Sequence, residues 1–177
     1  MSKGKVVLAI AAGLFAIYVA AAPYVTVYQM KSAEESHDGE ALSEHIEFPS
    51  VRQSLKDQMN AMFAKKMAED EEMKKNPFAA LGAALAGVMV DKMVDAYVTP
   101  AGITQLMAGE KPQPGAEKDS GNAGSPERKP LSDASMAYES LDKFVVKVKG
   151  NDGGEGKLVL RRRGLSWKLT DIIIPLE

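Results

Sequence analysis

The first part of the chain is almost wholly apolar and is preceded by two lysines. Lys3 and Lys5 stand before Val6–Ala22, a run of 17 residues without a charge. At about 1.5 Å per residue this run forms about 25 Å of helix, slightly less than a hydrocarbon core of about 30 Å. Apolar and aromatic residues continue past Pro23 up to Lys31. The pattern predicts one helix that contacts the lipid bilayer through Val6–Ala22, with the amino terminus in the cytoplasm and the remaining chain outside.

A cleaved signal peptide is the competing interpretation of this segment. Val19-Ala20-Ala21 has the small-residue pattern that a signal peptidase requires. Pro23 blocks cleavage after the next candidate position, Ala22, and the apolar run is longer than many signal-peptide cores. Both interpretations stay open here, and both place the globular part outside the cytoplasm.

Helical periodicity dominates from Pro23 to about residue 110. Asp38 is placed to cap a short helix, Glu40–Ile46, and Pro49 suits the first turn of the helix that follows. In that following helix apolar residues recur every three or four positions, which predicts an amphipathic helix with one buried stripe. The stripe consists of Val51, Leu55, Met59, Met62, Phe63 and Met67.

The next helical segment is almost free of charge. Phe78–Val90 has 13 residues without a charge and is rich in Ala and Gly. Because it is too short to span a bilayer, we expect a buried helix that packs closely on a neighbour through its small residues. These are Gly82, Ala83, Ala86 and Gly87. A re-entrant membrane helix or a dimerisation helix is the alternative. Thr99-Pro100 then predicts the start of a further short helix.

The pattern changes after residues 111–135, a segment rich in Pro, Gly and charge that predicts a flexible linker or loop. Beyond it, apolar residues alternate with lysines from Phe144 to Lys149, and Asn151–Gly156 predicts a hairpin loop. Near Thr170-Asp171 the alternation slips by one position, which indicates a β-bulge. We therefore predict an antiparallel meander of about three strands and an α+β fold in which helices precede the sheet.

These patterns divide the chain into four parts. Residues 1–23 form the membrane anchor or uncleaved signal, and residues 24–110 form the helical part of an α+β domain. Residues 111–135 are the linker, and residues 136–177 form the β-meander that completes the domain.

Several stretches resemble a bacterial family catalogued as domain of unknown function 2939. The resemblance covers nearly everything except the linker, and it rests on Tyr24–Lys31, Ile46–Lys56, Ala96–Gly102 and Gly164–Ile172. Glu47 stands where the family pattern has Asp. The resemblance implies a membrane-anchored bacterial protein, and no activity or functional residue comes with it.

At the level of fold alone, the order of elements also resembles the cone-shaped nuclear-transport-factor-two-like fold. The likeness rests on a helix, an Asp-Gly turn, further helices and a sheet that ends near Trp167-Lys168-Leu169. That fold hosts enzymes, ligand carriers and assembly domains, so the likeness implies no particular function.

Composition excludes several classes of function. The chain has 22 Lys and Arg against 24 Asp and Glu, a net charge of −2, which argues against a nucleic-acid binder that relies on bulk charge. It has no Cys and only two histidines, His37 and His45. Disulfides and Cys-based metal centres are therefore excluded, and the histidine spacing is unlike that of helical zinc motifs. We expect no cofactor, no metal site and no nucleic-acid partner.

Charged residues supply most of the candidates for a pocket or an interaction surface. Arg161, Arg162 and Arg163 form the densest charge in the chain, and they predict either a solvated strand end or a contact with an anion or lipid headgroup. Arg52 lies in the first turn of a helix, where the helix dipole disfavours a cation. We therefore expect a carboxylate to hold it, such as Glu47 or Asp171.

Trp167 and Asp171 complete the candidate set. Trp167 shares a strand face with Leu169 and is expected in the core between sheet and helices. In an open pocket, Arg52, Asp171 and Trp167 would instead form the lining.

Two functions of different class follow from these observations. The first is a non-catalytic envelope protein, whose membrane-anchored domain binds an envelope partner or another copy of itself. The second is a small-molecule or lipid carrier, or a low-turnover enzyme, that uses a pocket between helices and sheet. The sequence contains no catalytic motif, so we favour the first and expect no enzyme. The anchor and the resemblance place the protein in a bacterial inner membrane, as a single-pass protein with a periplasmic C-terminal domain.

Overall fold

The structure is a computed structural model that describes residues 3–36, 38–70, 76, 78–107, 134–149 and 155–174. Most of the predicted linker (111–135), His37 and residues 151–154 of the predicted hairpin loop lie outside the described residues. Five helices precede four strands among the described residues. The helices are α1 (Lys3–Glu35), α2 (Gly39–Ser43), α3 (Phe48–Glu69), α4 (Ala79–Tyr97) and α5 (Pro100–Met107). The strands are β1 (Ser135–Ser140), β2 (Lys143–Lys149), β3 (Glu155–Arg163) and β4 (Ser166–Ile173). The α+β prediction is confirmed.

Helix α1 has two halves with different surroundings. It runs for 33 residues without ending at Pro23. Before Pro23 most of its apolar side chains are exposed, with Val19 and Ala22 partly buried. Beyond Pro23 a stripe at helical spacing is buried: Thr26, Val27, Met30 and Ala33. The second half of α1 therefore belongs to the core of the domain, and the first half projects from it.

Capping residues set the starts of the next helices as the sequence predicts. The Asp38 carboxylate accepts hydrogen bonds from the backbone N–H groups of Glu40 and Ala41, at 3.1 and 3.0 Å. These bonds satisfy two of the otherwise unpaired donors at the start of α2. Pro49 lies in the first turn of α3, where its missing N–H has no helical partner to lose.

The predicted stripe of α3 is buried only in its first part. Val51 and Leu55 are buried and Met59 is half-buried, but Phe63 is exposed. The first part of α3 packs against β4, and the Gln58 side chain donates a hydrogen bond to the Ile172 carbonyl oxygen at 2.8 Å near the end of that strand. The rest of α3 extends past the sheet, so its apolar residues are covered less.

The prediction that the charge-free helix is buried is wrong. In α4, Val90 and Val94 are buried, whereas Leu81, Leu85 and Val88 are exposed. A Cβ added at Gly82 would meet nothing within 4 Å, so the small residues there do not mediate close packing. The physical reason is that α3 covers one face of α4, and no described element covers the opposite face.

The sheet has one more strand than the sequence predicts. Its order is β1-β2-β3-β4, and each strand is antiparallel to the next. The extra strand is β1, which begins at Ser135, where the sequence pattern predicts the end of the linker. The β-bulge is confirmed, because Val159 pairs with Asp171 while Leu160 pairs with Leu169, which leaves Thr170 as the additional residue.

The segment before α3 pairs with the edge strand β4. The Leu169 N–H donates to the His45 carbonyl oxygen at 2.8 Å, and the Glu47 N–H donates to the Leu169 carbonyl oxygen at 2.9 Å. Ile46 thus forms a parallel bridge with Leu169. This pairing covers part of an edge that would otherwise be open to other chains.

One core joins α1 to the sheet and to α3. Trp167 is 1% exposed, as the strand pattern predicts, and it packs edge-on against Phe144 and Tyr138, with ring centroids 6.3 and 5.7 Å apart. Tyr24 of α1 meets Phe144 at 4.7 Å. Leu160 and Leu169 complete the centre. Large aromatic side chains therefore hold α1 on the sheet.

Candidate functional site

Two strand turns lie beside α1 at one end of the sheet, and we call this region the turn end. It consists of the β1–β2 turn, Leu141-Asp142, and the β3–β4 turn, Gly164-Leu165. Gly164 has a φ of 67°, which a glycine adopts without strain in a two-residue turn. Leu141 is 85% exposed and Leu165 is 64% exposed. Turn positions normally carry polar residues, so two exposed leucines at one end of the sheet are unusual.

A groove of about 690 Å³ separates α1 from the β1–β2 turn. Phe15 and Val19 of α1 line one side, and Leu141 and Arg162 line the other. The Tyr138 hydroxyl donates a hydrogen bond to the Ala20 carbonyl oxygen at 3.0 Å and fixes the depth at which α1 meets the sheet. Burial raises the pKa of Tyr138, so the phenol stays protonated and keeps this bond.

A second groove, of about 600 Å³, lies on the other side of α1 and is lined by α1, by Glu44-His45 and by Leu165–Lys168. The Lys168 ammonium donates to the Glu44 carbonyl oxygen and so joins β4 to the segment after α2. Burial lowers the pKa of His45, and the positive charge of Lys168 lowers it further, while Glu44 opposes the shift. His45 is therefore held neutral beside a lysine.

The three consecutive arginines of β3 have different surroundings. Arg163 pairs with Glu47, with its Nη2 2.6 Å from Oε2 and its Nε 3.2 Å from Oε1. The hydrogen bond from Arg163, with a second one from Ser50 at 2.8 Å, lowers the pKa of Glu47. This two-point ion pair joins the turn end to the start of α3.

Arg162 lies on the opposite face of β3, toward the helices. Its guanidinium carbon is 5.1 Å from the centroid of the Trp167 ring, a cation–π contact. Within the described part of the chain, neither Arg161 nor Arg162 takes part in an ion pair. The arginine run therefore holds one structural ion pair. Arg162 contacts Trp167 and Tyr138, and both Arg161 and Arg162 lie near enough to Asp142 for their charge to help lower its pKa.

The prediction that Glu47 or Asp171 holds Arg52 is wrong, since neither carboxylate pairs with it. Arg52 donates from Nε and Nη2 to the carbonyl oxygen of Val98, at 3.1 and 3.0 Å. Asp171 instead accepts a hydrogen bond from the Thr170 hydroxyl at 2.7 Å. Trp167 is buried among aromatic rings. Arg52, Asp171 and Trp167 thus have separate partners in the structure and separate structural roles.

A second exposed feature is the outer face of α4, which we call the α4 stripe. It consists of Leu81, Leu85, Val88 and Met89, all exposed and spaced as one helical face. Val90 and Val94 lie on the opposite face and are buried against α3. A helix that is apolar on both faces is normally covered on both.

The apolar half of α1 is the third exposed feature. Among the described residues, α1 is the one helix long and apolar enough to cross a membrane, and only 6% of its most apolar window is buried. The core helix of a soluble protein passes the same length test but is mostly buried, unlike this one, and a signal sequence near the amino terminus passes it too. No cluster of three His, Asp or Glu suited to a metal ion occurs within the described residues.

Sequence reasoning found the arginine run but missed the two turn leucines and Glu47 as its partner. An apolar residue inside each turn was the available signal for the leucines. For Glu47 there was none, because the pairing with Arg163 depends on how the chain before α3 docks on β4.

Comparison with known proteins gives a family and no activity. The family model described as Protein of unknown function (DUF2939) matches residues 12–106, which run from within α1 through α2, α3 and α4 almost to the end of α5. No curated protein and no solved structure matches the chain. The likeness to the cone-shaped fold therefore stays a prediction.

Proposed function

The chain belongs to the DUF2939 family of proteins of unknown function, and from that premise we propose that it is a membrane-anchored, non-catalytic assembly domain. In this proposal α1 anchors the domain in a bacterial inner membrane. Lys3 and Lys5 favour a cytoplasmic amino terminus under the positive-inside rule, which puts the domain in the periplasm.

The α4 stripe is the observation that carries the assembly role. Leu85 at its centre is 59% exposed, and α4 carries no charge before Asp91. A contiguous apolar surface on a folded domain marks a contact site. A carrier or enzyme would use an enclosed cavity between helices and sheet. Among the described residues, Trp167, Phe144 and Leu160 fill the centre of that space, and the two grooves beside α1 are open clefts at its edge.

We assign the α4 stripe to a second copy of this chain. An uncharged apolar face is complementary to itself when two copies are related by a two-fold axis. Anchoring by α1 confines copies to one membrane plane, which raises their effective concentration and lets a modest interface suffice. Gly82 and Ala83 beside the stripe allow two helices to approach closely.

Cross-linking at single cysteines tests this assignment, since the chain has no Cys of its own. In full-length protein reconstituted into vesicles, Leu85→Cys should form a disulfide-linked dimer under mild oxidation. Asp57→Cys, at an exposed position of α3 away from the stripe, is the matched control and should stay monomeric.

A charge on the stripe supplies the second arm of the test. Leu85→Glu should abolish the dimer of otherwise native protein without lowering its melting temperature, because this side chain is exposed in the single chain. Equal cross-linking at positions 57 and 85, or a wild-type protein that is monomeric in vesicles, would contradict the assignment.

Topology is tested separately with reporters. A C-terminal alkaline phosphatase fusion should be active, and a C-terminal green fluorescent protein fusion should be dark. The opposite result would contradict the orientation that Lys3 and Lys5 favour. Amino-terminal sequencing of mature protein that begins at Ala22 would show a cleaved signal and remove the anchor.

A further inference from the structure

We infer that the turn end of the sheet inserts into the leaflet on the domain's side of the bilayer, with Leu141 and Leu165 among the acyl chains and Arg161 and Arg162 at the lipid phosphates. The inference rests on the membrane anchor proposed above. It adds a second, monotopic contact between this domain and the lipid.

The depth of the turn end along α1 is the first support. The β1–β2 turn lines a groove with Phe15 and Val19, and the β3–β4 turn lines a groove whose α1 side begins at Tyr18. The part of the apolar run that lies before these contacts, Val6–Leu14, has nine residues. At about 1.5 Å per residue it is about 14 Å long, about half of a hydrocarbon core of about 30 Å. A bilayer crossed by α1 therefore reaches the two turns.

The chemistry of the turn tips is the second support. Leu141 and Leu165 are among the most exposed large apolar side chains of the sheet, and each stands at a turn rather than in a strand. If both turns faced only water, polar residues would be favoured over leucine at these positions. In the leaflet, both side chains bury apolar surface without any rearrangement of the sheet.

Charge above the tips is the third support. Arg162 lies in the groove beside Leu141, where it contacts Trp167 and Tyr138. Arg161 lies on the other face of β3, and the charges of both arginines help to lower the pKa of Asp142 in the β1–β2 turn. Within the described residues neither arginine forms an ion pair. Arginine binds phosphate in a bidentate manner and extends its charge from an apolar environment toward the headgroups. Tyr18 of α1 is exposed and lines the groove beside the β3–β4 turn, and tyrosine is enriched in the aromatic belts of membrane proteins.

Single-cysteine fluorescence measures the insertion directly. Full-length Leu141→Cys and Leu165→Cys proteins are labelled with an environment-sensitive fluorophore and reconstituted into phosphatidylcholine vesicles. Ile174→Cys is the matched control, because Ile174 is also an exposed apolar residue but lies at the other end of β4. We expect blue-shifted emission and quenching by brominated lipids at positions 141 and 165, and neither effect at position 174.

Retention of the same samples in the membrane distinguishes the proposed anchor, α1, from the proposed insertion of the turn end. If the protein stays in vesicles after alkaline carbonate extraction while labels at 141 and 165 behave like the label at 174, insertion is wrong and the anchor stands. If carbonate releases the protein, the anchor is wrong, and the inference is overturned with it.

The arginine contacts have their own measurement. Adding phosphatidylglycerol to the vesicles should move the label at position 141 deeper into the bilayer, which brominated lipids report as stronger quenching. The double variant Arg161→Gln/Arg162→Gln should remain folded and should show the same quenching with and without phosphatidylglycerol. Soluble inorganic phosphate at equal charge should not reproduce the effect. Identical quenching in neutral and anionic vesicles would show that the arginines do not bind lipid phosphates.

Discussion

Arg52, in the second turn of α3, donates two hydrogen bonds to the carbonyl oxygen of Val98, the residue that caps the end of α4. The last carbonyl groups of a helix have no partner within it, and together they carry the negative end of the helix dipole. A guanidinium placed there donates hydrogen bonds to an otherwise unpaired carbonyl oxygen. Its positive charge also interacts favourably with the negative end of the helix dipole. The contact also fixes the end of α4 to the start of α3, so the two helices cannot separate at this point.

Removing this contact should loosen the α3–α4 pair. Arg52→Met keeps most of the apolar stem but leaves the Val98 carbonyl unpaired, and hydrogen bonds to charged groups typically contribute about 1.5–3 kcal/mol. We expect a loss of that size in urea unfolding of the full chain in detergent. Arg52→Lys should recover only part of it, because an ammonium lacks the fork geometry.

Gln53→Met is the control for the Arg52 variants. Gln53 is exposed, and its amide bonds only to Asp57 one turn away among the described residues. Such pairs contribute about 0.2–0.5 kcal/mol. An equal loss in Gln53→Met and Arg52→Met would show that the Val98 contact adds nothing to stability.

Two glycines should respond to alanine with opposite signs. A Cβ at Gly102, in the first turn of α5, would overlap the carbonyl oxygen of Tyr97, whereas a Cβ at Gly82 would meet nothing within 4 Å. Gly102→Ala should therefore lower the melting temperature clearly, because the backbone must shift. Gly82→Ala should raise stability by about 0.5–1 kcal/mol, since glycine is unfavourable inside a helix. Thermal unfolding by circular dichroism compares them, and equal responses would contradict the geometry at Gly102.

Local chemistry was enough to predict most of the fold. Asp38 and Pro49 have the side chain and ring that a helix start requires, and Thr170 marks a slip in alternation that only a bulge explains. These signals act within a few residues of chain. The strand β1 was missed because SMAYES carries little apolar alternation, and its pairing depends on β2 rather than on its own sequence.

The candidate site was less predictable because its contacts are long in sequence. Arg163 meets Glu47 across 116 residues, and Arg52 meets Val98 across 46. A pattern of charges shows that a cation needs a partner, but several partners satisfy the same need. The α4 helix shows the same limit. Its apolar sequence predicts that each face of the helix is covered, but it does not identify the surface that covers it.

Trp167 should be essential for the stability of the domain. It is 1% exposed and contacts Phe144, Tyr138 and Arg162. Truncating a large buried aromatic side chain typically costs about 3–5 kcal/mol, so Trp167→Ala should unfold the domain or lower its melting temperature sharply. Leu165→Ala, two residues away and exposed, is the control and should change stability little in detergent.

Fluorescence of Trp167 gives a second measurement on the native protein, because it is the only Trp in the chain. We expect blue-shifted emission and weak quenching by iodide. Emission like that of free indole, together with a tolerated Trp167→Ala, would place the ring on an exposed face.

His45 should make the domain less stable in mild acid. Its pKa is lowered from the usual 6.5 by burial and by Lys168. Below that value the unfolded chain binds a proton that the folded chain resists, so the free energy of unfolding should fall as the pH drops through about 6.5 toward the pKa of the folded state. Above about 6.5 both states are neutral at this group, and its contribution to the slope should vanish.

A one-histidine protein isolates this effect. In a His37→Gln background, NMR titration of the remaining imidazole should give a pKa below 6.5, and urea unfolding between about pH 5 and 8 should show the acid-side slope. Adding His45→Gln should remove that slope. Lys168→Met should raise the pKa of His45, because it removes the neighbouring positive charge. A titration at or above 6.5 in the one-histidine protein, or a slope unchanged by His45→Gln, would contradict the assignment.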